Sequence, residues 1–204
     1  KALQSQINPH FLYNTLDSII WMAEGRKYEE VVLMTASLAR LLRQSISNED
    51  EVVPLAREVE YAKGYLTIQK MRYKDKLEFE IDVEPSILNI PLIKLVLQPI
   101  IENAIYHGLK YKESKGLLQV KGFMKDGNAV LQVIDNGVGM DEETLSHIYD
   151  KHKVNYHSNG VGVYNVQKRL KLYYGENYGI TYESEKGVGT TATITIPGIQ
   201  EESI

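Results

Sequence analysis

The hydrophobic period of this chain changes near residue 77, and that change limits the folds open to it. Leu12, Leu16, Ile19, Ile20 and Ala23 recur at helical spacing, as do Val31, Met34, Leu38, Leu41, Leu42 and Ile46. Gly25 to Lys27 separates the two runs, a connection short enough to make antiparallel neighbours. A third helix is predicted from about Pro54 to Tyr73: proline suits a first-turn position, and Glu58 and Glu60 sit where the helix dipole favours acids. From Leu77 the period becomes two. LEFEIDV (77–83) alternates apolar and polar, as a half-buried strand does.

The remainder mixes the two periods. Residues 92–107 return to helical spacing. LLQVKGFM and AVLQVID flank Asp126-Gly127-Asn128, a strong hairpin signal. Helices are predicted near 141–150 and 162–174, and strands near 179–184 and 190–196. This order implies an α+β chain: an N-terminal helical hairpin, then an α/β sandwich with helices on one face of a mixed, mainly antiparallel sheet. We divide it at residues 1–72 and 73–204. The net charge of −4, from 23 basic and 27 acidic residues without long single-sign blocks, does not indicate a nucleic-acid surface. The absence of cysteine excludes disulfides and thiolate metal sites. No apolar run approaches the ~18 residues of a membrane span. KALQSQI reads as mid-helix without a start signal, so we expect the chain to be cut from something longer.

Four segments of the second part carry candidate chemistry. QPIIENAIYHG (98–108) places Glu102, Asn103, Tyr106 and His107 on an apolar helix; an Asn carbonyl suits a hard cation, and an amphipathic surface stripe reads the same way. Asp135-Asn136-Gly137-Val138-Gly139-Met140 follows a strand, where an ionised Asp can accept from the exocyclic amine of adenine; an Asn-Gly turn is the plain alternative. Asn159-Gly160-Val161-Gly162-Val163 opens a helix, a position that presents N–H groups to phosphate. Gly187-Val188-Gly189-Thr190 enters the last strand and also reads as a hairpin turn.

Each segment alone is ambiguous, but their order resembles the ATP-binding fold shared by gyrase, Hsp90, MutL and histidine kinases, over roughly residues 75–198. The resemblance implies ATP and Mg²⁺ as cofactors, with Asn103 as the Mg²⁺ ligand and Asp135 on adenine. Gly137 and Gly139 would shape the pocket, and Tyr106 and His107 would lie on its helix. Gly160 and Gly162 would face the lid and the phosphates, and Gly187, Gly189 and Thr190 would close the adenine side. The run 141–158 would include a short lid, with His147, His152 and His157 solvated there.

The N-terminal part narrows the choice. Gln6-Ile7-Asn8-Pro9-His10-Phe11-Leu12-Tyr13-Asn14 resembles the phosphoacceptor segment of LytS/YesM-type sensor histidine kinases, whose signature is N-P-H-F-x-x-N. IQKMRYKDKLEFEI (68–81) and LQPIIENAIYHG (97–108) fit the same branch. The resemblance implies autophosphorylation on His10 and transfer to an Asp of a response regulator, in the YesM-like branch often one of the AraC type that binds DNA. It further implies a homodimer through the N-terminal helices and a full-length protein at the cytoplasmic face of the membrane, anchored upstream. An imidazole nitrogen is nucleophilic near neutral pH. His10, Asn14 and Asp17 share a helical face, so Asn14 is expected to orient the imidazole or a water. Many other histidine kinases carry an acid directly after the histidine; Phe11 stands there, leaving the base unassigned. Arg40 and Arg43 read as solvated. Pro9 either opens a helix capped by Asn8 or kinks one that runs through; we expect the kink.

Two rival functions share the nucleotide fold. In ATPases of the gyrase kind a Glu one turn before the Asn activates water, and that position is Pro99 here. An anti-sigma-type serine kinase would phosphorylate a separate protein, and the NPHF segment argues against it.

Overall fold

The structure is a computed structural model that describes residues 9–46, 51–149 and 160–198. Helices α1 (Pro9–Glu24) and α2 (Tyr28–Ile46) form the expected hairpin, turning where Arg26 takes a left-handed backbone. Helix α3 (Leu55–Tyr73) packs against both of them and against the second part. Asn8 and the residues before it lie outside the described residues, and with them the choice between a cap and a kink at Pro9.

Among the described residues, seven strands follow the switch in period or flank it. β1 (Val52–Pro54) and β3 (Pro91–Ile93) make a two-stranded antiparallel sheet, with Val52 opposite Ile93. The main sheet has the order β2-β4-β5-β7-β6, built from β2 (Leu77–Val83), β4 (Gly116–Lys125), β5 (Asn128–Asp135), β7 (Gly189–Pro197) and β6 (Gly179–Glu185). Only β2 and β4 are parallel among these neighbours. Asp126 and Gly127 close the β4–β5 hairpin with φ of 51° and 77°, as a two-residue turn of that sequence requires. Helices α4 (Leu97–Asn103) and α6 (Gly160–Tyr174) cover one face, and the short α5 (Glu142–Ser146) packs beside β6.

Two helix predictions shrink. Residues 91–93 are strand, so the 92–107 helix starts only at Leu97 and continues past Asn103 as a π turn, Ala104–Leu109. The 141–150 helix ends at Ser146. In the first case apolar residues at helical spacing were shared with the neighbouring β3, which is too short to show its own period.

One continuous core runs from Phe11 through Leu41, Tyr65, Ile68 and Ile101 to Leu118 and Ile194. Burying each of its aliphatic side chains is worth roughly 1.5–3 kcal/mol. On α1 the inward residues are Phe11, Thr15 and Met22. Leu16, Ile20 and Ala23, which share the helical spacing of α1, are exposed. With Tyr13, Trp21 (76% exposed), Tyr28 and Val32 (69%) they form an outer apolar face on the hairpin.

Candidate functional site

Helix α4 is fixed at its head by an acid from another element. Leu95 takes a left-handed backbone (φ 63°), so that the N–H groups of Leu95, Val96 and Leu97 converge. All three donate to the Glu58 carboxylate of α3, at 2.8, 2.9 and 2.9 Å. Such a run of N–H groups is an anion nest, and Glu58 fills it from within the protein. Burial raises the Glu58 pKa, and the three N–H bonds and the charge of Arg169 oppose that. Arg169 of α6 in turn donates to the Lys94 carbonyl at 2.8 Å.

Asn103 ends this helix facing a cavity of about 750 Å³ between α4, α5, α6 and the sheet. Its Oδ1 is buried and has no hydrogen-bond partner among the described residues. Across the cavity lies Asp135, the last residue of β5, 6% exposed. Its Oδ1 accepts from the Gly137 N–H at 2.8 Å. Burial pushes its pKa up to about 6, with the Gly137 and Thr190 N–H groups and the Lys112 charge pulling the other way. Thr190 stands opposite Asp135 on β7, its hydroxyl 2.8 Å from that of Ser184.

The glycines mark places where backbones touch. A Cβ on Gly108 would lie 2.7 Å from Asp135 Oδ1, and one on Gly137 would overlap the Gly108 backbone. Gly139, at φ 63°, lies against the Glu185 carbonyl, and Gly189 lies against that of Asp135. The Gly187 N–H donates to the Val138 carbonyl at 2.7 Å, tying the loop after β5 to the β6–β7 hairpin. Gly162 packs α6 onto Pro99, 3.3 Å from where its Cβ would sit.

Asn103, His107, Asp135, Gly139 and Thr190 therefore line one cavity. Partial burial, then the Lys110 charge, lowers the His107 pKa. His147 is half-buried and also lines the cavity, rather than being solvated. Tyr106 is not a lining residue and stands beside Tyr65 and Tyr73. Gly137, Gly187 and Gly189 brace the wall from behind. Gly160 opens α6, while Asn159 and the second half of the run expected to hold the lid, 150–158, with His152 and His157, lie outside the described residues. Tyr182 of β6 lines the cavity too, and sequence reasoning missed it because it reads as an ordinary strand residue. Among the described residues no cluster of His, Asp and Glu forms a metal site by itself.

His10 sits apart from this cavity, exposed on α1. The Asn14 amide nitrogen lies 3.1 Å from both its ring nitrogens.

The sequence profile described as "Histidine kinase" matches residues 1–77. That described as "Histidine kinase-, DNA gyrase B-, and HSP90-like ATPase" matches residues 89–200. The chain belongs to the histidine kinases. Among its relatives, the sensor histidine kinase YesM of Bacillus subtilis is 37% identical over 97% of this kinase chain and 33% of the relative. The sensor protein LytS of Oceanobacillus iheyensis is 34% identical over 87% of the chain and 31% of the relative. The kinase chain thus spans about a third of the length of these curated relatives. Its fold is that of a histidine kinase domain from Erythrobacter litoralis (TM-score 0.53, 15% identity, 86% of this chain and 82% of that one). It is also that of the catalytic domain of the histidine kinase ThkA (TM-score 0.55, 16% identity, 73% and 99%). Among the described residues of this kinase no helix is long and apolar enough to cross a membrane.

Proposed function

We propose that the chain is the catalytic core of a sensor histidine kinase that binds ATP in the α4–α6 cavity and phosphorylates His10. The observation that carries this reading is the pairing of two cavity groups. Asp135 offers a buried acceptor to a purine amine, and the buried Asn103 Oδ1, without a partner among the described residues, offers a hard oxygen to a metal. The donor set fits Mg²⁺, which is bound by few protein oxygens together with phosphates and would neutralise charge on the transferring group. Asp135 orients the base, and His10 is the nucleophile: one imidazole nitrogen bonds the terminal phosphorus as the bond to ADP breaks. Asn14 holds the imidazole plane across one helical turn. Because His10 is exposed and outside the cavity, transfer requires either a closing movement or the histidine of a second copy.

The exposed apolar face of α1 and α2 supports a homodimer through these helices. The phosphoryl group then passes to an Asp of a response regulator, of the AraC type by the resemblance to YesM-like kinases. An upstream segment holds the kinase at the cytoplasmic face of the membrane. Hydrolysis as the main reaction is disfavoured: Pro99 packs on Gly162, and Glu102 is buried, bonded by Gln98 at 2.9 Å and not in the cavity lining.

Incubation with ATP labelled on its terminal phosphate tests the reading. We expect an acid-labile, base-stable protein phosphate that His10→Ala abolishes with nucleotide binding intact. An acid-stable phosphate points to serine instead, and label persisting at another histidine in His10→Ala overturns the assignment.

A further inference from the structure

The cavity floor is ordered by strand register. On β5, β7 and β6 the residues Val133, Ala192 and Tyr182 stand in one row, and Asp135, Thr190 and Ser184 stand in the next, two residues on. Residues two apart share a sheet face. The first row is apolar except at one atom, the Tyr182 hydroxyl. That oxygen is buried and has no hydrogen-bond partner among the described residues. Its neighbour Tyr149 differs: the Tyr149 hydroxyl donates to the Ile180 carbonyl at 2.6 Å, and its ring meets that of Tyr182 edge-on, centroids 6.1 Å apart. The Tyr182 ring is therefore held in place while its hydroxyl has no acceptor among the described residues. Ala192 beside it is small, so the row leaves space above its middle member. Buried hydroxyls almost always find a partner, and one without any in the protein at the wall of a ligand cavity is left to the ligand or to water held in the cavity.

We propose that the Tyr182 hydroxyl is a base-recognition group, donating a hydrogen bond to a ring nitrogen of the bound purine directly or through one water. This rests on the reading of the cavity as an ATP site. Asp135 supplies an acceptor and Tyr182 a donor on the same wall. Adenine presents the complement on one edge, an amine that donates beside a ring nitrogen that accepts. On the N1 edge guanine presents a carbonyl and an N–H in those places, so both contacts would be mismatched there, whereas on the N7 edge only the contact to Asp135 would be. Burial, then the neighbouring Tyr149 and Asp135, raise the Tyr182 pKa, which keeps the hydroxyl protonated and able to donate.

The test is a double-mutant cycle between protein and ligand. Dissociation constants of ATP and of its 1-deaza, 3-deaza and 7-deaza analogues are measured for the chain and for Tyr182→Phe, with melting temperatures of both nucleotide-free proteins. We expect Tyr182→Phe to weaken ATP by about tenfold. That loss should vanish for the one analogue lacking the contacted nitrogen. The nucleotide-free variant should melt no lower than the parent, because the free protein loses no bond. Unchanged ATP affinity overturns the proposal, and so does a loss equal for all three analogues with a lowered melting temperature, which marks a structural hydroxyl. If the unsubstituted chain binds no ATP, the reading of the cavity fails and this inference with it.

Discussion

The ring of Phe11 lies against that of Tyr65, centroids 4.7 Å apart and planes tilted by 32°. Both residues are 1% exposed. The side chain directly after the phosphoacceptor candidate thus anchors α1 to α3, at the position where many other histidine kinases carry an acid. Phe11→Ala should cost about 3–5 kcal/mol, as removal of a buried aromatic usually does. Urea unfolding measures the loss, and amide exchange should rise along α1 before it rises in the sheet.

Asn103→Ala should remove the Mg²⁺-dependent part of ATP affinity, by about tenfold or more, and keep the metal-free part. Titrations with Mg²⁺ and with chelator, for both proteins, separate this from a helix-bracing role. Equal Mg²⁺ enhancement in both would refute the metal-ligand assignment.

Asp135 gives a pH dependence whose sign follows from its raised pKa of about 6. The empty fold binds this proton more tightly than the unfolded chain does. Its contribution to the stability of the nucleotide-free protein is therefore present at low pH and declines as pH rises from about 4 through about 6. Binding runs the other way, since the ionised carboxylate is the better acceptor for the purine amine. ATP affinity should rise between pH 5 and 7, and Asp135→Asn should abolish that component. Subtracting the profile of the variant removes the titration of the nucleotide's own phosphate. A component of equal size in Asp135→Asn would exclude this carboxylate as its source.

Glu58→Gln should destabilise the fold by roughly 2–4 kcal/mol. The amide keeps one acceptor oxygen, but it sets an NH₂ group against N–H donors in a buried site. Thermal unfolding reads the change, and ATP affinity should fall with it because α4 carries Asn103. A variant as stable as the parent would mean that water satisfies these N–H groups equally well.

The elements with several turns or alternations of their own were legible in the sequence, as was the β4–β5 hairpin, since Asp126-Gly127 names its turn. The strands β1 and β3 were not, because three residues carry no period and their pairing joins positions some forty residues apart. The candidate site divides similarly. Asn103, Asp135 and Thr190 were found through the order of their motifs. Tyr182 has no motif, and only the strand register shows that it shares a wall with Asp135. Glu58 read as a first-turn acid suited to its own helix dipole, whereas its carboxylate serves the head of another helix. The helical spacing of Leu12, Leu16, Ile19, Ile20 and Ala23 marked α1 as a helix but not which of them face inward, because an apolar outer face merges with the inner stripe into one broadened pattern.

The bond from Glu58 to the head of α4 bears on how kinases of this build recombine. The acid lies in the segment matched by one sequence profile, and its three donors lie in the segment matched by the other. A chimaera joining the helical part of one such protein to the nucleotide-binding part of another takes the acid from one parent and the nest from the second. It keeps the contact only if both parents place them alike. A catalytic piece excised at residue 73 loses the acid altogether and leaves three converging N–H groups open to a free anion. Exchange between such proteins is therefore least disruptive at a crossover on the N-terminal side of α3.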